Sequence, residues 1–220
     1  PYVGDRVVFG VWLSNGGSRA SAAVPVEIRL STNGEARGSK TIRRGTLKSV
    51  PAKSRRIYGF GATIPSTVAS DDYRVLVCRT IARKTSCLNR GELEVRRRPA
   101  QVALQPGSTI DFGTVTEGVT STSRRFVVRN VGQKTAGTVD LDVEGDDDED
   151  FRITGTSCRG RSLGPGGGCT VYVAFRPTDD GRLDARLKAD PAQGKSVTAK
   201  LTGVGRQNDD AVDDGEDEVH

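Results

Sequence analysis

Apolar residues recur at every second position in short runs along the whole chain. No stretch of ten or more residues keeps the i, i+3, i+4, i+7 spacing of an amphipathic helix. In the run RVVFGVWLS (6–14), Val7, Phe9, Val11 and Leu13 share one face. In VPVEIRL (24–30), Val24, Val26, Ile28 and Leu30 do so, with Glu27 and Arg29 turned outward. KTIRRGTL (40–47), SRRIYGFGATI (54–64), YRVLVCR (73–79) and ELEVRR (92–97) complete a first set of six strands separated by Gly, Asn, Ser and Pro. Asn15-Gly16-Gly17 is expected to supply the positive-φ residues of a tight turn, and Asn33-Gly34 to make another. Pro25 has no N–H to give a ladder, so its strand is expected at a sheet edge or to open with a bulge.

The pattern pauses at Arg96-Arg97-Arg98-Pro99 and restarts in VALQPGSTIDFGTV (102–115). It continues through 123–132, 138–143, 151–154, 169–177, 181–190 and 196–205. A length of 220 residues accommodates two cores of about 100 residues each. The expected fold class is therefore all-β, with two tandem immunoglobulin-like antiparallel β-sandwiches over 1–98 and 99–206. Residues 207–220 carry 7 acids and no Lys or Arg, and have almost nothing to bury, so they are expected to be a disordered acidic tail or linker.

Residue types exclude most catalytic chemistry. The only histidine is His220, the last residue, and most general-base, nucleophile-activating and zinc-binding constellations use imidazole. No catalytic residue, metal ligand or cofactor is expected, and the chain is read as not an enzyme. No run of 18 apolar residues is present, so no transmembrane segment is expected. The lack of methionine, at position 1 included, suggests a piece of a longer chain with adjoining domains.

Residues 102–205 resemble the bacterial choice-of-anchor D module, a relative of the hydin-type (ASH) immunoglobulin-like domains. The resemblance is carried by IDFGTVTEGVTSTSRRFVVRNVG, by DFRITGTSCRGRSLGPGGGCTVYVAFRPTDDGRLDARLKA, and by the closing VTAKLTGVG. The first half more loosely resembles the cell-adhesion-related domain found in bacteria (CARDB), through GDRVVFGVWLSNGGSRASAAVPVEIRL and DYRVLVCRTIARKTSCLNRGELEV. It departs from that pattern in having Arg83-Lys84-Thr85-Ser86 where members often carry acidic and Asn-rich residues. Members usually have a strand upstream of Gly4, which implies that this domain is truncated at its N-terminus. Together the resemblances imply immunoglobulin-like sandwiches without catalytic activity, in a secreted or surface-anchored bacterial protein.

Cys78 and Cys87 enclose eight residues, and Cys158 and Cys169 enclose ten. Zinc ligands normally come two to four residues apart, and no Cys-x-x-Cys motif is present. Two local disulfides fit this spacing best, with free thiols and a metal site as the alternatives. Closing a loop of about ten residues stabilises a domain by roughly 2.5 to 3 kcal/mol in the chain-entropy model. Paired cysteines place the chain in an oxidising, extracellular setting. Gly164-Pro165-Gly166-Gly167-Gly168 between the second pair is expected to be a turn, with Leu163 plugging the core. A phosphate loop would lead into a helix, whereas Thr170-Val171-Tyr172-Val173 opens a strand.

GDDDED (145–150) lacks the glycine an EF-hand loop requires and is expected to be a solvated loop. Residues 1–98 carry 19 Lys and Arg against 7 Asp and Glu, while 99–206 carry 14 of each. Arg43, Arg44, Arg55, Arg56, Arg96, Arg97 and Arg98 are the candidate anion-binding residues, able to attract anionic polymers through counterion release. No aromatic platform accompanies them, so nucleic acid is not expected. The expected role is a spacer and adhesion surface whose partner is a protein or a cell-wall polysaccharide. The alternatives are accessory domains of a larger extracellular hydrolase, or an adhesin that binds anionic polymers through its basic first domain.

Overall fold

A computed structural model describes residues 1–81 and 84–207. The expected acidic tail at 207–220 falls almost entirely outside these residues. The chain divides into two compact units, Pro1–Arg98 and a second starting at Pro99. Both are β-sandwiches with immunoglobulin-like architecture.

In the first unit, β1 (Arg6–Asn15) pairs with β4 (Ser54–Thr63) as a two-stranded antiparallel sheet. The facing sheet has four strands in the order β3-β2-β5-β6, formed by β2 (Val24–Ser31), β3 (Lys40–Leu47), β5 (Asp71–Ile81) and β6 (Lys84–Val95). The alternation read from the sequence defines the core, in which Val11, Val26, Ile28, Leu30, Phe60, Tyr73, Val75 and Val95 are buried. Val7, Phe9 and Leu13 pack against that cluster from β1. Gly45 faces the Phe60 ring so closely that a Cβ would lie 2.6 Å from it.

Two expectations for this unit are corrected. The strand of Pro25 is not an edge strand, since β2 lies between β3 and β5. Pro25 is tolerated because β5 pairing begins one residue later, at Val26 opposite Arg79. The bulge falls instead between Ile28 and Arg29. The last strand starts at Lys84, well before residue 92. Apart from Cys87 and Leu88 its first half is polar, and most of it is exposed, so it carries no alternation that would reveal it.

In the second unit, sheets of order β10-β13-β14-β8 and β11-β12-β9-β7 face each other. Their strands are β7 (Val102–Gln105), β8 (Ile110–Thr116), β9 (Arg124–Asn130), β10 (Val139–Glu144), β11 (Phe151–Thr156), β12 (Gly168–Phe175), β13 (Gly181–Pro191) and β14 (Val197–Arg206). The run 102–115 is thus two strands in different sheets, broken at Pro106-Gly107. One pairing departs from the antiparallel expectation, because β8 runs parallel to β14. Phe112, Phe151 and Phe175 form the centre of the core, with the Phe151 and Phe175 rings stacked at 4.7 Å. Gly203 lies so close beneath Phe175 that no side chain fits there.

Candidate interaction surface

The side of β1 away from the core is unusually apolar for a solvent-facing surface. Strand alternation turns Val8, Gly10 and Trp12 outward, opposite Gly61, Gly59 and Ile57 of β4 respectively. Trp12 is 61% exposed, and Val8 and Ile57 are also largely exposed. The glycines leave a low strip in which Ile57 lies across Gly10 and the Arg6 guanidinium lies across Gly61. At the far end the Arg55 guanidinium sits 5.6 Å from the Trp12 ring centroid, a cation–π contact worth about 0.5 to 1 kcal/mol where exposed.

The candidate arginines fall on different parts of the unit. Arg55 and Arg56 lie on β4, while Arg43 and Arg44 lie on β3 in the other sheet. Arg44 Nε donates to Glu27 Oε1 at 2.9 Å, and Arg29 donates to Oε2 of the same carboxylate. Those two donors, Arg44 first, hold the Glu27 carboxyl below its ordinary range. Arg96 pairs with Glu94. Arg98 pairs with Asp5 Oδ1 at 2.5 Å. The Asp5 carboxyl is lowered mainly by the hydrogen bond that the Tyr2 N–H donates to Oδ2, and further by Arg98. Arg97 is half-buried. Arg55 is the candidate that joins the exposed aromatic face.

The four cysteines form two disulfides, as their spacing suggested. Cys78 and Cys87 are directly opposed on β5 and β6. Cys158 and Cys169 bridge the loop after β11 to the start of β12, with α-carbons 5.0 Å apart. The second bridge is fully enclosed, whereas Cys87 of the first is only half-buried. Leu163 is buried beside the second bridge, and β12 follows the glycines directly.

Sequence reading missed the polar side chains that fasten the second unit's loops. Asn130 is 0% exposed. Its Nδ2 donates to the carbonyls of Lys134 and Leu163 at 2.8 and 3.0 Å, and its Oδ1 accepts from the N–H groups of Gly132 and Gln101. Its place at a strand end before Val131-Gly132 was the available signal. The acidic loop is likewise more than a solvated loop. Asp150 is buried and accepts from the N–H and hydroxyl of Thr178 at 2.7 and 2.9 Å, while Asp147 accepts from the Asp184 N–H. These carboxylates complete backbone hydrogen bonding.

No family model matches the chain, and no curated protein matches it. Among solved structures, the chain is similar to an ASH/PapD-like domain of human CEP192, at 19% identity and TM-score 0.34 over 49% of this chain and 86% of that one. It is similar to a red sea bream transglutaminase at 15% identity and TM-score 0.34, over 94% of this chain and 30% of that one. It is also similar to the Vibrio cholerae VesB protease at 12% identity and TM-score 0.33, over 82% of this chain and 62% of that one. The fold assignment rests on strand order and core composition rather than on likenesses this weak.

Proposed function

We propose that the protein is a tandem of non-catalytic immunoglobulin-like modules from a secreted or surface-attached bacterial protein, a CARDB-like domain over 1–98 followed by a choice-of-anchor D module over 99–206. It acts as a spacer and an interaction surface. The observation that carries this reading is that each unit is closed by its own disulfide, a device suited to an oxidising compartment. The buried polar side chains support it as well. Asn130 and Asp150 satisfy loop backbone groups, which is structural work.

A second reading, an adhesin for anionic polymers, draws on the Arg55–Trp12 pair of the exposed β1–β4 face. The test of the main reading is mass spectrometry of natively isolated protein alkylated with and without reductant. The expected result is no alkylation until reductant is added. Four thiols that alkylate without reductant would contradict both the extracellular setting and the scaffold role. Salt-sensitive retention on an anionic polymer, lost in Arg55→Ser, would favour the adhesin reading over a neutral spacer.

A further inference from the structure

Residues 99–206 balance their charges, yet the two sheets of the second unit divide them unequally. The sheet of β10, β13, β14 and β8 mixes Asp111, Asp140, Asp142, Glu144, Asp184 and Asp190 with its cations. Lys188 is paired there with Glu144, and Lys200 with Asp184. The sheet of β11, β12, β9 and β7 has no Asp or Glu in any of its strands. Alternation decides which of its residues face solvent. Phe126, Val128, Phe151, Val171 and Val173 are buried in the core, so Arg125, Arg129, Arg152 and Tyr172 stand on the outer side. Arg176 continues the outward row of β12 one residue past the end of that strand.

Tyr172 lies at the middle of this outer face. Arg125 is directly opposite it on β9, and Arg152 of β11 is opposite Ala174, two residues further along β12. Two strand spacings and two residue rises separate the α-carbons of Arg152 and Arg125 by about 12 Å, and four rises separate Arg125 from Arg129 by about 14 Å. From Arg176 to the level of Arg129 the face is about 27 Å long. All four arginines are exposed, and none is in an ion pair among the described residues. Arg176 is tethered through one atom, its Nε donating to Gly118 O at 2.9 Å. The Tyr172 ring is 41% exposed and leans across Gly155, where a Cβ would lie 3.9 Å from Cδ2.

We infer that this outer face binds an acidic polysaccharide, a chain of sugar rings that carry carboxylates. Four cations with no acid among them attract a polyanion, and each guanidinium fork fits a carboxylate through two parallel hydrogen bonds. Tyr172 stands between Arg125 and Arg152. It offers an apolar ring to the C–H face of a sugar and a hydroxyl to its polar edge. A peptide strand fits less well. The backbone groups of β12 and β9 are used by neighbours on both sides, so no strand can be added in the middle of the face. One aromatic ring is also too few for a nucleic-acid track, on which successive bases stack. The site goes beyond the Arg55–Trp12 pair of the adhesin reading and lies in the other unit, so either can fail while the other stands.

The probe is an oligogalacturonate long enough to span about 27 Å. Its neutral methyl ester, polyglutamate and oligothymidylate are the controls. Each is titrated into the full chain by calorimetry, with amide shifts followed by NMR. The expected result is saturable binding of the oligogalacturonate below about 1 mM, weakened about tenfold or more between about 50 and 200 mM salt. The shifts should centre on β9, β11 and β12, and the ester should not bind. Arg125→Gln combined with Arg152→Gln is expected to weaken binding about tenfold or more. Tyr172→Ala is expected to weaken it about threefold or more while leaving any binding of polyglutamate unchanged. Arg55→Ser, in the first unit, is expected to change nothing. Tyr172→Ala and Arg129→Gln keep the test decisive if the double variant folds poorly. The inference is overturned by no saturable binding up to about 1 mM, by binding that survives the paired arginine substitutions, or by binding lost in Arg55→Ser. Polyglutamate or oligothymidylate bound as tightly as the sugar would assign the face to another class of partner. Face amides that shift when residues 208–220 are deleted would mean that the chain's own acids hold it, which also contradicts the inference.

Discussion

In the second unit four strands face four, and in the first unit two face four. The consequence is visible residue by residue. Both units have enclosed cores, with Phe126, Phe175, Leu187 and Leu201 sealed in the second and Ile28, Leu30, Ile64 and Val68 in the first, but the first leaves the core-facing Leu88 exposed. The disulfides follow suit, since Cys158–Cys169 is sealed inside and Cys87 is reachable from the surface. One lesson is that alternation and turn chemistry suffice to specify a sandwich, while the number of strands in each sheet decides how far its backbone and core are withdrawn from partners.

The largest expected effect is in the closed core. Phe175→Ala empties the centre of the aromatic cluster and is expected to destabilise the second unit by about 3 to 5 kcal/mol. Phe60→Ala in the first unit is expected to fall at or below the bottom of that range, because Phe60 lies nearer the surface than Phe175. Denaturant titrations that resolve both units check this, and equal losses would break the comparison.

Asn130→Ala comes next. It removes the side-chain partner of four backbone groups near β9, of which the Leu163 carbonyl keeps the Ala136 N–H, and at about 1 to 3 kcal/mol for a buried group left unsatisfied the second unit is expected to lose about 2 kcal/mol, measured in the same titrations. An unchanged midpoint would show that the loops hold without it. Gly203→Ala, under Phe175, sharpens the same point: it is expected to lower the melting temperature of the second unit far more than Gly10→Ala lowers that of the first. Gly10 has 3.4 Å of clearance to Ile57, whereas Gly203 has none.

The smallest effect is electrostatic. Glu27 has its carboxyl lowered from an ordinary value of 4.5 by Arg44 and Arg29. Its contribution is therefore fully present above 4.5 and is lost as the pH falls through the lowered folded value. As a partly exposed ion pair it is worth less than about 1 kcal/mol. Glu27→Gln is expected to flatten the acid limb of the first unit's stability profile, read by melting temperature from neutral pH downward. A profile that kept its slope would show that Glu27 does not contribute to it.

Much of this was legible in the residues. The β1, β2 and β4 alternations, the positive-φ turn at Gly34 and both cysteine pairs appear where the periodicity and spacing put them, whereas after Asn15 the chain makes a longer loop to Val24 in which neither Gly16 nor Gly17 has a positive φ. Leu163 and the strand after the glycine turn did as well. What escaped was decided by neighbours. Pro25 sits in an interior strand because pairing on one side starts a residue later, which no local pattern records. The first half of β6 is largely exposed and, apart from Cys87 and Leu88, polar, so its own sequence cannot announce a strand. The candidate arginines were legible as charge, but their distribution over two sheets, and the pairing of Arg44, Arg96 and Arg98 with Glu27, Glu94 and Asp5, depend on tertiary register. The exposed edge of β1 was hidden for the same reason: a strand reads identically whether or not another lies beside it.

The most direct measurement is native-state amide hydrogen exchange on the free, oxidised chain. An open β1 edge predicts an alternation along that strand, with the amides of Val7, Phe9 and Val11 slow and those of Val8, Gly10 and Trp12 fast. In β12, which lies between two neighbours, successive amides should all be slow. Uniform protection along β1 in the free chain would mean that its edge is already covered, and the contrast between an open and a closed unit would be lost.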